Sequence, residues 1–212
     1  MRPLTLSAYP SQHPLPWPSP HADGRRERAG NWPLKSDQVA RFDALLHEIH
    51  PDAPRVNADR IAQLARWLIE MPEAEARAVL DERLGRIDQL RTMIKDLDWD
   101  CADADCARVS KLLAYLDQTD NLIPDRVPLL GKLDDVLLLE LAWPALAAEV
   151  DEYDDFCRYR NSEHPFGSGM TQRASWVRDR LAALALVRHQ MLVNESHYAE
   201  SGRPEAPFRV GG

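Results

Sequence analysis

The chain has 212 residues, 44 % of them apolar, which is enough to bury a core in one large or two small domains. Its 26 basic and 34 acidic residues leave a formal charge of −8, a balance that disfavours nucleic acid or an anionic membrane as an electrostatic partner. Three cysteines cannot make a disulfide framework and fit a reducing, cytoplasmic setting; the N-terminus carries no apolar leader, and the longest greasy stretch, Val136 to Ala148, is broken by Glu140 and Pro144, short of a membrane span.

Residues 1–34 hold seven of the sixteen prolines, a composition that favours extended, polyproline-like chain and reads as a disordered or loosely docked arm. From there to about residue 199 the apolar spacing is helical and no sustained two-residue alternation appears. The expected fold is therefore all-α: about six helices in an irregular, mostly antiparallel bundle over residues 35–199, with a flexible tail from 200 to 212. Ser36 is the expected cap of a first helix with the stripe Val39, Phe42, Leu45, Leu46 and Ile49, stopped by Pro51. Asn57 caps a second, with Ile61, Leu64, Ala65, Leu68 and Ile69 on one face. A third begins near Pro72 and keeps its period from Ala76 to Leu97, which makes it the expected long helix of the bundle. Asp103 or Asp105 opens a fourth, carrying Val109, Leu112, Leu113 and Leu116. After a Pro-rich loop from Thr119 to Gly131, a fifth starts near Leu133 or Asp134 and should kink at Pro144. Thr171 is the expected cap of a sixth, whose stripe is Trp176, Val177, Leu181, Leu184, Val187 and Met191.

Charge is unevenly spread. Residues 96–155 hold 16 acidic and four basic residues, a local −12, while the remainder is +4. The acidic segment can dock on basic helix faces such as Arg77, Arg83, Arg86 and Arg91, on a second copy, or on a basic partner; otherwise it is a solvated face.

The most patterned stretch runs from Leu113 to Asp135, with Leu122, Ile123, Pro124, Asp125, Val127, Pro128, Gly131, Asp134 and Asp135 at its heart. Each proline forces its predecessor, Ile123 or Val127, into extended geometry, so the chain leaves one helix, runs extended and turns at Gly131: a loop rigid by construction. Ile123, Val127, Leu129 and Leu130 can then plug into the bundle, while Asp125, Asp134 and Asp135 converge at the start of the next helix. There they serve as helix caps and an Asx turn, or as hard oxygen ligands for Mg²⁺, Mn²⁺ or Ca²⁺.

This pattern resembles the YkvA-like family, a bacterial domain of unknown function with the hallmark D-L-I-P-D-x-I-P-x-x-G-x-x-D-D; the resemblance covers roughly residues 110–150. It implies no activity. Many family members look like small membrane-associated helical proteins, and a similar segment occurs in a eukaryotic RING-type ubiquitin ligase. The chain departs from the pattern at Asn121, where the family has its first Asp, and at Arg126, often apolar in the family and here able to pair with one of the Asp groups.

Other candidates are weaker. His47 and His50 lie one turn apart but lack a complementary pair, and read as surface histidines; Cys101 and Cys106 read as part of a helix-capping loop; Trp67, Trp143 and Trp176 read as core. No nucleophile with its base, no phosphate loop and no complete metal set stands out, so the expectation is a non-catalytic helical adaptor or regulatory protein without a cofactor. Its docking surface would be the loop and acidic face: Ile123, Pro124, Asp125, Arg126, Pro128, Gly131, Asp134 and Asp135. The partner would be a protein, a second copy included, with peripheral contact at the inner membrane allowed. The alternative is a divalent-metal-binding protein or metal-dependent hydrolase using Asp125, Asp134 and Asp135.

Overall fold

Local chemistry sets several of the boundaries directly. In a computed structural model, which describes residues 15–17 and 28–200, the Asn57 side chain accepts the Arg60 N–H at 2.9 Å and opens helix α2, Ala58–Glu70. Helix α1 is Ser36–Ile49, α3 Glu73–Lys95 and α4 Asp103–Leu116; a 3₁₀ turn, Leu130–Lys132, leads into α5, Leu133–Glu163, and α6 is Met170–Glu200. The six helices bear out the all-α reading. The first 14 residues, most of the rest of the Pro-rich arm and the tail beyond residue 200 lie outside the described residues.

The small corrections have physical causes. Ser36 is the first residue of α1 rather than its cap, the cap position being Lys35 without a side-chain bond. Thr171 likewise falls one residue inside α6. α3 stops at Lys95, so Leu97 lies beyond the helix and is 98 % exposed, and Ile69 at the end of α2 is half-exposed. The longest helices are α5 and α6, each of 31 residues, not α3 with 23; α5 runs on through Pro144, which sits on an exposed face. Cys101 and Cys106, expected only as part of a helix-capping loop, are joined in a disulfide with their Cα atoms 5.9 Å apart, well within bridging range.

The end of the arm also belongs to the fold. Arg28–Ala29 (β1) and Trp32–Pro33 (β2) make a short antiparallel hairpin around Gly30, whose φ is +57°. Ala29 and Leu34 are buried, and Trp17 lies over the Arg60 guanidinium at 5.0 Å.

The chain divides into two compact units, residues 1–155 and 156–212. In the first, α1, α3 and α4 pack together with Phe42 edge-on to Tyr115, and Leu133 to Leu139 at the start of α5 are all buried. Several side chains of the acidic segment meet α3, one of the alternatives the charge asymmetry leaves open: Glu140 lies 3.4 Å from both Arg83 and Arg86, Asp154 accepts from Gln89 at 2.7 Å, and Asp117 pairs with Arg91. Arg83, however, is core rather than surface; it is fully buried and also donates to the Val79 carbonyl at 2.8 Å. His47 and His50 are not free surface groups either. The His47 ring nitrogens face the carbonyls of Asp43 and Ala53, and His50 Nδ1 reaches the Leu141 carbonyl at 2.7 Å. Trp67 and Trp143 are half-buried; Arg86 stacks over Trp143.

In the second unit, Trp176 is buried edge-on against Phe156, but the rest of the expected α6 stripe, Val177, Leu181, Leu184, Val187 and Met191, is exposed. Among the described residues no helix is long and apolar enough to cross a membrane.

Candidate functional site

The loop after α4 is closed by short-range bonds that its prolines and glycine permit. Asp125 N–H donates to Thr119 O, Val127 N–H to Pro124 O, and Gly131 N–H to Val127 O, each near 3 Å. Gly131 is required there: a Cβ would stand 2.4 Å from the Asp125 carbonyl oxygen. Leu129 holds a left-handed φ of +62°, which costs a side-chain-bearing residue about 1–2 kcal/mol.

Asp134, on the first turn of α5, supplies much of what holds this shape. Its Oδ2 accepts the Tyr115 hydroxyl at 2.7 Å and the N–H groups of Leu122 and Ile123, both at 3.2 Å. Expected as a cap for its own helix, this carboxylate instead ties the preceding loop and α4 to α5. Burial pushes its pKa up to about 6, against the pull of these donors. The Tyr115 phenol, buried and beside that carboxylate, is pushed far above its ordinary value.

Asp135 is 2 % exposed and is held at both oxygens: Asn121 Nδ2 donates to Oδ1 at 3.0 Å and Lys132 Nζ to Oδ2 at 3.2 Å. Burial, then the neighbouring charge of Asp134, pushes it up to about 7. Lys132 also donates to Asp125 Oδ2 at 2.8 Å; burial works to lower its pKa, but the hydrogen bond to Asp125 and the charge of Asp135 outweigh it and leave it raised. The three aspartates therefore converge as expected, and the cation between two of them is the chain's own ammonium. Among the described residues no group of three or more His, Cys, Asp or Glu side chains is arranged to hold a metal ion. Asn121 takes part by donating an amide N–H where the YkvA-like pattern would place another carboxylate.

The eight docking candidates divide by burial. Ile123, Pro124, Gly131, Asp134 and Asp135 are buried, Asp125 is half-buried, and Arg126 and Pro128 are exposed. Leu130 plugs into the core with Ile123, whereas Val127 and Leu129 are only half-buried. Arg126 pairs with Asp120 at 3.0 Å and lies over the Trp32 ring at 5.7 Å, not with any of the three clustered aspartates. Trp32 Nε1 in turn donates to the Leu122 carbonyl at 3.2 Å, which fixes the hairpin to the loop. Beside them a cavity of about 240 Å³ opens between α1 and the loop, lined by Gln38, Arg41, Phe42, Leu45, Tyr115, Gln118, Asp120, Asn121 and Leu122.

Tyr115 and Lys132 are the participants that sequence reading missed. Tyr115 stands three residues after Leu112 on the apolar side of α4, so its place inside was available from periodicity. Its bond to a residue 19 positions later was not. Comparison with family models, curated proteins and solved structures finds no match to this chain.

Proposed function

We propose that the protein is a non-catalytic docking protein whose loop Thr119–Lys132 is a preformed surface for a protein partner. The observation that carries this reading is the inward use of Asp134: one buried carboxylate oxygen accepts from Tyr115, Leu122 and Ile123 and so fixes the loop in advance of any contact. A surface already ordered loses less conformational entropy on binding. What the loop turns outward is Arg126, Asp120 and Pro128 beside Trp32, a mixture of Arg, aromatic and proline surface suited to a protein contact. The neighbouring cavity, about 240 Å³, is smaller than the ~300–1,000 Å³ of ordinary small-molecule sites and fits a single side chain of a partner.

The test is a photo-crosslinking residue placed at position 126 in the full chain, with one at the exposed Glu82 as control. A discrete adduct from position 126, absent from position 82 and lost when Asp134→Asn loosens the loop, supports the reading. Equal labelling from both positions sinks it.

A second reading, a divalent-cation site, is favoured by one observation: Asn121 Oδ1, Asp125 Oδ1 and Asp134 Oδ1 are buried acceptors without a hydrogen-bond partner. An ion would have to displace Lys132. Melting the protein in EDTA and then in Mg²⁺, Mn²⁺ and Ca²⁺ decides it: a midpoint raised by one ion and no longer raised in Asp135→Asn favours the cation, and an unchanged midpoint removes it.

A further inference from the structure

The connection between α3 and α4 is fastened differently along its two halves. The first half is held by side chains of α5: Trp99, 6 % exposed, donates its Nε1 to Glu149 at 2.9 Å and meets Tyr153 edge-on, and the Tyr153 hydroxyl donates to Asp96 at 3.1 Å. The second half, from Cys101 into the first turn of α4, has Ala102, Asp103 and Ala104 exposed. The cap position of α4 is Ala102, which has no side-chain bond to offer the helix amides. This stretch carries instead the bridge from Cys101 to Cys106, around a turn in which the Asp105 and Cys106 N–H groups both donate to the Ala102 carbonyl at 2.9 Å.

We propose that Cys101 and Cys106 are a redox modification site: a latch that closes as a disulfide and opens as a dithiol, with a dithiol reductant as its co-substrate. A thiolate of the reductant attacks one sulfur and forms a mixed disulfide, and the displaced cysteine thiolate takes a proton. The reductant's second thiol then displaces the other cysteine. Two electrons and two protons pass to the chain, and the reductant leaves as its own disulfide. Three observations support reversal over a permanent staple. Both cysteines are only half-buried, so a thiol can reach them. The bridge joins positions five apart whose flanks are anchored without it, the linker by Trp99 and the helix by buried Val109, Leu112 and Leu113, so the opened form keeps the fold. One bridge with a third cysteine left over is also not the dense framework that staples small extracellular domains. Opening therefore acts locally: the start of α4 is left with neither cap nor bridge, and the turn around the Ala102 carbonyl frays. The surroundings select the reductant. Asp100, Asp103 and Asp105 flank the pair and only Asp105 is paired with Arg108 in the same turn, so a thiol on an uncharged or basic carrier is favoured over an anionic one. This site is independent of the docking role assigned to the loop.

The test uses the full chain carrying Cys157→Ser, equilibrated in mixtures of reduced and oxidised dithiothreitol, with thiols trapped by iodoacetamide and counted by mass. The expected count runs from none to two per chain through one transition that reoxidation retraces. The reduced chain keeps its helical signal and a cooperative melt, while hydrogen exchange at Asp105 and Cys106 quickens about tenfold and exchange at Leu122 and Ile123 is unchanged. Cys106→Ser exchanges at Asp105 like the reduced chain, with or without reductant. Loss of cooperative unfolding on reduction makes the bridge a structural staple and overturns the latch. Exchange at Asp105 and Cys106 that ignores the redox state overturns it too, as do two thiols trapped in every mixture. Reduction by glutathione, which is anionic, speeds up with added salt, and reduction by dithiothreitol does not; an equal salt response overturns the selection by charge.

Discussion

Two stretches of nearly the same greasiness meet opposite fates. At the start of α5, Leu133 and Val136 to Leu139 are wholly buried; in α6, Leu181, Leu184, Leu186 and Val187 are each about half exposed. Both are helical and both are apolar on more than one face, so composition does not separate them. What differs is what surrounds each: α5 begins beneath a loop that its own Asp134 holds in place, within the packing of α1, α3 and α4, whereas α6 within its own unit meets the end of α5 at Trp176 and at Asp179, which accepts from Tyr159. Hydrophobicity shows that a segment must be covered; it does not name the cover.

The sharpest way to break the comparison is to put the same charge into both. Leu137→Asp buries an unpaired carboxylate and is expected to cost more than about 4 kcal/mol, leaving no cooperative unfolding transition by circular dichroism. Leu184→Asp in α6, measured at a concentration too low for self-association, is expected to shift the denaturant midpoint by less than about 0.5 kcal/mol. Equal effects would erase the distinction drawn between the two helices.

Next in size is Asp134→Ala. It strands the Tyr115 hydroxyl and the Ile123 N–H and leaves the Leu122 N–H only its 3.3 Å bond to the Tyr115 oxygen, losses that together are expected to cost about 3–5 kcal/mol in a denaturant titration. Unlike a core truncation, it should also raise hydrogen exchange at Leu122 and Ile123 in particular. Protection unchanged at those two amides would remove Asp134 from its role as the loop's anchor.

A smaller effect follows from pH. Asp134 and Asp135 are raised to about 6 and 7 from an ordinary 3.8. The folded chain therefore holds protons that the unfolded chain has already released, and these two groups make stability fall as pH rises from about 4 to about 7 and level off above. For Asp134 the span is on the order of 3 kcal/mol, and Asp134→Asn should flatten the slope. Denaturant midpoints taken between pH 4.5 and pH 8 check the sign; a rising profile that Asp134→Asn leaves intact would contradict it. Smallest of all, Arg126→Ala removes an exposed pair with Asp120 and is expected to change stability by less than about 1 kcal/mol while still impairing any partner's contact with the loop.

The legible parts of the fold were those written in neighbouring residues. Asn57 and the turn it caps lie three residues apart, and the loop's rigidity is encoded in Pro124, Pro128 and Gly131 within eight positions. The convergence of Asp125, Asp134 and Asp135 was legible for the same reason. Their occupation by Lys132 was not, because which carboxylates an ammonium reaches depends on how the loop folds back on itself. Arg83 was misjudged through its charge, although it lies four residues after Val79 on the buried side of α3 and its spacing marked it as internal. The exposure of α6 was illegible in principle, since its period is the same whether the covering surface comes from this chain or another.

The pairing of Cys101 with Cys106 has a practical corollary. With those two sulfurs tied to each other, a chain of three cysteines keeps one free thiol, Cys157, half-buried in the second unit. A thiol-reactive fluorophore added without reductant would mark that position alone, one residue from Phe156 at the base of the helical hairpin. Energy transfer between donor- and acceptor-labelled chains then gives a tracer of encounter between molecules that needs no substitution in the sequence.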